Sequence, residues 1–453
     1  MEAVANWIVC THRRVVSWFN DDVFRRLFIN AGKLLSANAV AAVLGLIATV
    51  LTARALGPQN YGILALVLVY ELTVGKLVTF NAWQAIIKFG SEALHAGDRT
   101  GLHQLVKFGF ALDIASAVIG TVLAMALAGP VIGLLGWDLS VRPLLMLYSM
   151  LILFSLSGTP IGVLRLFDRF DLLSYTAVLS AVVRLAGVAW CLLTERGLFG
   201  FVLVYLVTGI IGELYQVAAS FWVLTKQDVS GIVHAPLGCI RGRFPGILDY
   251  VWTTNLNSTV RMLSREVDEL IIAALTTPAA LGIFKVAKQF ASVLPRFLDP
   301  LYQSIYPELT RLWAAKGRKS FVSLIKRTTS LTGAAAFIGW LAFVLFGKWF
   351  VELIVGNAYS DAYVVAAIYM LAMIIAIVGF TLQPSMLAVG LPRSSLKANL
   401  ISTAIYLSTL IPLVYRLGAI GASLAHVGFY LVWCILMLRF LLPHIRPKMD
   451  HAL

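Results

Sequence analysis

The chain has 453 residues, 60% of them hydrophobic and only 13% charged, with a mean hydropathy of +0.86. Soluble domains carry roughly 25% charged residues, so this composition excludes an ordinary soluble protein and predicts an integral membrane protein. The formal net charge of +14 does not call for nucleic acid, because the cytoplasmic loops of a membrane protein collect such an excess of Lys and Arg.

The apolar runs are long and continuous, which predicts spanning helices and not the alternation of a β-barrel. Residues 1–33 form a cytoplasmic or interfacial N-terminal segment. Arg13, Arg14, Asp21, Asp22, Arg25 and Arg26 interrupt it before any long apolar run, so it is no secretory signal. Residues 4–28 suit either an amphipathic helix at the membrane surface or a partly ordered tail. Twelve spans come next, at 34–55, 61–82, 105–128, 143–163, 172–193, 199–224, 248–275, 281–305, 324–346, 363–389, 395–415 and 418–440. Spans 1–6 make an N-lobe over 34–224 and spans 7–12 a C-lobe over 248–440. A cytoplasmic linker at 225–247 joins them, and 441–453 is a cytoplasmic tail.

Of the 36 Lys and Arg, 24 fall on one side of this topology and 5 (Arg54, Arg142, Arg196, Lys348, Arg416) on the other. That bias makes both termini cytoplasmic. The far-side connections are short, the longest being 129–142 and 347–362, which leaves no room for an external catalytic domain. No GxxxxGK[ST] phosphate loop is present, so ATP does not drive the protein directly. Cys10, Cys191, Cys239 and Cys434 have no metal-type spacing, and neither a metal, a cofactor nor a catalytic residue is expected.

The remaining seven basic residues, Lys76, Arg184, Arg261, Arg265, Lys285, Lys288 and Arg296, lie within spans. Ionisable groups inside a membrane are costly unless they face protein or a water-filled path. Span 7 carries Asn257, Arg261, Ser264, Arg265 and Asp268 at spacings of three and four, one stripe of a helix. Span 8 carries Lys285, Lys288, Gln289, Ser292, Arg296, Asp299 and Gln303. In span 7 the arginines either meet a phosphate, whose oxygens Arg binds in bidentate fashion, or pair with Asp268, Glu266 and Glu269. Span 8, with three bases against Asp299, holds a positive surplus. Lys285 has the alternative of snorkelling to the interface. Asp268, Asp113 and Glu213 are candidates for ion coupling. His95, His103, His234 and His444 fall in cytoplasmic connections, so no histidine relay is expected in the membrane. Trp83, Trp137, Tyr148, Trp340, Trp349, Tyr359 and Tyr363, near span ends, read as interfacial belts.

The halves echo each other. Asn38 and Leu56 share a spacing with Asn257 and Leu275, followed by Gly62 and Gly282. Glu92 and Gly101 match Glu308 and Gly317, and Gly162 and Arg165 match Gly390 and Arg393. The offsets run from 216 to 228 in one order along the chain, as in a duplication whose halves flank a central site.

TARALGPQNYGILAL at 52–66 resembles the ARxLGPxxYG signature of bacterial polysaccharide and O-antigen flippases. REVDELIIAALTTPAALGIFKVAKQ at 265–289 is similar to that family's seventh-span pattern, with Gly282-Ile283-Phe284 in place of its usual Gly-Tyr; GVLRLFDRF at 162–170 and GLFGFVL at 197–203 also fit. These are Wzx-like members of the multidrug, oligosaccharidyl-lipid and polysaccharide exporter superfamily. The resemblance implies two six-helix lobes in a V, rocking in alternating access. It implies an inner-membrane protein that moves undecaprenyl-pyrophosphate-linked glycans for O-antigen, lipopolysaccharide or exopolysaccharide assembly, alongside membrane lipids and other glycan assembly proteins. The fold class is thus an all-α integral membrane protein of about twelve helices in two pseudo-symmetric lobes. Arg261, Arg265, Lys288 and Arg296 are the leading head-group candidates, then Lys285, Lys76 and Arg184. The rivals are a drug or cation antiporter of the same superfamily, and a membrane polymerase or ligase acting on lipid-linked sugars.

Overall fold

Gly57, placed directly before Pro58, ends the first straight helical run. The computed structural model describes residues 22–80, 82–227, 229, 240–292, 299–315 and 317–445, and among them the regular structure is helical with no strand. In chain order the helices are α1 (Asp22–Val78), α2 (Trp83–His95), α3 (Arg99–Leu135), α4 (Arg142–Phe154), α5 (Gly158–Leu166), α6 (Phe170–Leu193) and α7 (Leu198–Lys226). They continue with α8 (Ile240–Arg243), α9 (Ile247–Leu275), α10 (Pro278–Ala291), α11 (Asp299–Ala314), α12 (Arg318–Ile354), α13 (Ala362–Gly379), α14 (Leu382–Val389) and α15 (Pro392–Ile445). Residues 1–21, most of the predicted interfacial segment, and 446–453 lie outside the described residues.

Gly57 has φ 68° and ψ 170°. Pro58 disfavours helical backbone at the residue before it, and glycine takes the positive φ at no steric cost. Gly418 does the same inside α15, with φ 58° and ψ −133°. Eight helical segments among the described residues are long and apolar enough to cross a membrane, including Ala39–Val78 with 40 residues and Pro392–Ile445 with 54. At about 1.5 Å per residue each of these two far exceeds the ~30 Å hydrocarbon core, so each has length for two crossings. Rows of exposed apolar side chains such as Ile119, Val122 and Leu123 on α3 and Leu341, Leu345 and Phe346 on α12 suit a lipid-facing surface.

Two predicted spans are not continuous. Span 4 divides into α4 and α5 at Ser155–Ser157, and span 10 into α13 and α14 at Phe380–Thr381. Pro160 and Pro384 explain both divisions. Each is the third residue of the resumed helix, where its missing N–H costs no intrahelical bond, whereas deeper in a helix it would. In span 8, α10 ends at Ala291 and α11 begins at Asp299, with 293–298 outside the described residues.

The chain forms two compact units. The first comprises the described parts of Met1–Thr49, Glu71–Pro130 and Leu139–Met262; the second comprises Val50–Tyr70, Val131–Asp138 and the described parts of Leu263–Leu453. In the first, α2 packs on α5, α6 on α7, and both α4 and α5 on α7, around Ile86, Phe89, Leu102, Leu105, Val163, Leu164 and Val223. In the second, α13 packs against α10, α12 and α15, and α14 lies against α11 and α15.

The glycines paired by the repeat, Gly62 and Gly282, meet inside the second unit. A Cβ on Gly62 would strike the Pro278 carbonyl, and one on Gly282 would strike the Pro58 carbonyl. That reciprocity gives the sequence echo a packing reason. Gly162 and Gly390 are not equivalent: Gly162 sits inside α5 against Trp83 and Ile86, while Gly390 is the left-handed cap of α14 with φ 88°.

Most of the expected aromatic belt points inward instead. Trp137 Nε1 donates to Ala273 O at 3.0 Å, Trp340 Nε1 to Ala367 O at 2.9 Å, Tyr359 OH to Ala53 O at 2.9 Å and Tyr363 OH to Val344 O at 2.7 Å. Tyr148 is buried, and Trp349 is exposed as a belt residue should be.

Candidate functional site

The second unit builds a cluster of charge from two consecutive helices. Asp268 and Glu269 lie two turns before the end of α9. After Thr276, Thr277 Oγ1 accepts from Ala280 N at 3.3 Å and Pro278 takes the first helical position, a favoured helix start. The chain then returns along α10, bringing Lys285 and Lys288, one turn apart, against the two acids. Lys285 Nζ donates to Glu269 Oε2 at 2.6 Å. Lys288 Nζ bridges both acids, at 3.2 Å from each Asp268 oxygen and 3.0 Å from Glu269 Oε1. The acids are sealed, with 0% and 1% of their side chains exposed, while Lys288 keeps 19% and Lys285 28%. Buried carboxylates are sustained only by such partners. Among the described residues, two carboxylates face two ammonium groups here.

A third helix completes it. His426 of α15, 7% exposed, has Nε2 3.8 Å from Asp268 Oδ2 and Nδ1 3.1 Å from Ala422 O. Tyr406 OH lies 3.4 Å from each imidazole nitrogen, and the Tyr369 ring of α13 is 4.7 Å away, centroid to centroid. Sequence reasoning passed over His426, which the structure sets beside Asp268 within the second unit. The signal is legible: His426 is the sole ionisable His, Lys, Arg, Asp or Glu between Arg416 and Arg439.

The expected positive surplus of span 8 also needs correction. Lys285 and Lys288 discharge onto the acids of α9, so Lys285 is ion-paired and not snorkelling. Arg261 and Arg265 lie on α9 with side chains outside the described residues, and Arg296 lies outside them altogether.

The first unit holds the other set. Asp113, buried, accepts from Thr159 N at 2.7 Å, so its carboxylate caps the buried start of α5. Glu213 of α7 bonds Ser157 in the break before α5 and feels Glu71 and Asp113 electrostatically, yet its Oε2 has no hydrogen-bond partner among the described residues. Arg184 of α6 lies with its guanidinium 5.0 Å over the Tyr205 ring, and its buried Nε is unpartnered among the described residues. Thr208 Oγ1 and Gln216 Oε1 of α7 are unpartnered in the same sense. Lys76 is exposed in the last turn of α1, near enough to act on Glu71.

Outside the spans, Arg243 grips Asp98 in bidentate fashion at 2.7 and 2.6 Å. The guanidinium, joined by the Gly101 N–H, holds the Asp98 carboxyl below the usual carboxylate range. Other basic side chains rest on rings: Arg165, in the last turn of α5, on Trp83 at 4.5 Å, and Lys88 of α2 on Phe89 and Tyr250 at 4.8 and 4.7 Å. Such contacts hold a cation without neutralising it.

The family described as polysaccharide biosynthesis protein matches residues 27–313. The inner membrane protein YghQ of Escherichia coli (strain K12) is 29% identical over 348 residues, covering 76% of this chain and 97% of that protein. Among solved structures, an inward-facing multidrug resistance MATE family transporter of the MOP superfamily superposes with a TM-score of 0.72 at 14% identity, covering 89% of this chain and 94% of that one. The lipid II flippase MurJ in an inward closed conformation gives 0.70 at 15%, covering 91% and 88%. These likenesses give the fold, which the chain shares with the MATE transporter and with the lipid II flippase.

Proposed function

The chain belongs to the polysaccharide biosynthesis protein family, and we propose that it is a flippase that carries a polyprenyl-pyrophosphate-linked glycan across a bacterial inner membrane by alternating access. In this reading the chain crosses twelve times, with both termini cytoplasmic and six spans per lobe. The observation that carries it is the family match over residues 27–313, joined to the fold shared with a lipid II flippase; the basic residues of spans 7 and 8 supply the head-group candidates. A pyrophosphate is a dianion or more, and Arg and Lys are the side chains that bind its oxygens. Arg261, Arg265, Lys288 and Arg296 are assigned to the head group, with Lys285, Lys76 and Arg184 behind them. Asp268, Asp113 and Glu213 are assigned to ion coupling. The glycan, membrane lipids and other glycan assembly proteins are the partners. The lipid II flippase with the same fold and the inner-membrane relative support substrate class and location.

The test is deletion of the gene followed by analysis of lipid-linked intermediates and their leaflet. Undecaprenyl-linked glycan accumulating on the cytoplasmic face is the expected result; an unchanged glycan profile refutes the reading. The rival is a drug or cation antiporter, favoured by the multidrug transporter with the same fold. It predicts altered drug sensitivity with normal glycans.

A further inference from the structure

The first unit contains a cavity that none of the head-group candidates lines. It holds about 380 Å³, within the range of small-molecule pockets. Phe108 and Leu112 of α3 form one wall, and Phe80, just past the end of α1, forms another. Leu248, Asp249 and Trp252, in the first turns of α9, close it. All of these residues belong to the first unit. Trp252 and Phe80 stack with ring centroids 5.4 Å apart and planes inclined by 27°. Trp252 is still 56% exposed, so the stack leaves part of the indole free.

Asp249 is the one charged residue in this apolar lining, and it is exposed. It stands in the first turn of α9, where a negative charge suits the helix start. Two other acids of this unit, Asp98 and Asp171, are each gripped by an arginine. Among the described residues no basic side chain pairs with Asp249. Lys88 rests on the ring of the adjacent Tyr250 at 4.7 Å and does not neutralise it.

A carboxylate beside stacked aromatic rings selects its ligand by charge and by hydration. Ring faces attract cations, quaternary ammonium groups above all, and the carboxylate repels anions. A hard metal ion needs several oxygen ligands, and among the described residues no group of three or more His, Cys, Asp or Glu side chains could hold one. A neutral lipid chain would fill the apolar walls and leave the acid unanswered. We propose that this cavity binds a hydrophobic organic monocation, a quaternary ammonium or phosphonium, with its charge between the Trp252 ring and the Asp249 carboxylate. The site does not depend on the flippase reading.

The experiment is equilibrium dialysis of the full chain in lipid nanodiscs, with uptake by empty nanodiscs subtracted. The two probes are tetraphenylphosphonium and tetraphenylborate, close in shape and opposite in charge. Tetraphenylphosphonium should bind saturably and tetraphenylborate should not. Asp249→Asn should weaken binding of the cation about fivefold, and Asp249→Glu should retain most of it. Trp252→Leu should weaken it about two- to fivefold. Both side chains are exposed, so these variants should keep the fold. Saturable uptake of both probes alike, unchanged in Asp249→Asn, marks a purely apolar groove such as a lipid tail would fill and overturns the proposal. No saturable uptake of the cation, or uptake that all three variants retain in full, overturns it too. Each of these failures leaves the flippase reading standing, because that reading is tested by the lipid-linked glycan.

Discussion

The two sets of polar residues within the membrane-spanning helices are built on opposite plans. In the second unit, Asp268, Glu269, Lys285 and Lys288 satisfy one another at short range, and the acids are sealed from solvent. In the first unit, Glu213 Oε2, Arg184 Nε, Gln216 Oε1 and Thr208 Oγ1 have no partner among the described residues, and the one firmly held acid, Asp113, is engaged by backbone. A paired network in low dielectric resists the loss of any member, because the survivor is left as an uncompensated charge. A set with open hydrogen-bonding capacity loses little when trimmed and remains available to water or ligand. Stability should thus depend on the second set, and transport on both.

The largest effect separating them is Lys288→Ala. It strands Asp268 and half of the Glu269 contacts, and should cost about 3–5 kcal/mol in the unfolding of purified protein in detergent. Combining Lys288→Met with Asp268→Leu should recover most of that loss, since an apolar pair of similar volume replaces a buried ion pair at little cost. Next comes Asp113→Ala, which removes the acceptor at the start of α5 and should cost about 0.5–2 kcal/mol. Asp113→Asn keeps an oxygen there and should retain most of the stability, and equal losses in the two variants would remove the capping role. Glu213→Gln should change unfolding by no more than about 0.5 kcal/mol while reducing transport, and a large stability loss would erase the contrast between the units. The smallest effect lies outside the spans, at Asp98. The Arg243 guanidinium depresses its folded-state pKa, so the pair stabilises above the ordinary carboxylate range. That contribution disappears as pH falls through the lowered value. It is an exposed pair worth under about 1 kcal/mol, and the gap in melting temperature between wild type and Asp98→Asn should close on acidification.

Much of this is legible in the sequence. Leu56-Gly57-Pro58 announces a break because Pro disfavours helix at the residue before it and Gly accepts the positive φ, and the break stands there. The duplicated glycines point to a real close approach, that of Gly62 and Gly282 to each other's neighbouring proline. The charged stripes of 257–268 and 285–303 are visible as periodicity. What periodicity does not convey is the register between helices. Nothing in the spacing says that Lys288 meets Asp268 20 residues away, so span 8 reads as charged when its lysines are spoken for. The divided spans carry a local signal of their own: Pro160 and Pro384 each sit too deep in their predicted spans for an unbroken helix. His426 stands out in the sequence as the lone ionisable residue of its apolar run, but the run does not name its partners; only the fold brings Asp268, Tyr369 and Tyr406 around it.

The central claim is movement of a lipid-linked glycan, and the most direct measurement is reconstitution of the full chain into liposomes with an undecaprenyl-pyrophosphate-linked oligosaccharide in one leaflet. Its transfer to the other leaflet is then followed by accessibility to an external glycan-modifying enzyme. The account predicts transfer that requires the protein and falls sharply in Arg261→Ala, Arg265→Ala and Lys288→Ala variants that still insert. Transfer no faster than in empty liposomes, with drug efflux in the same preparation, would contradict it.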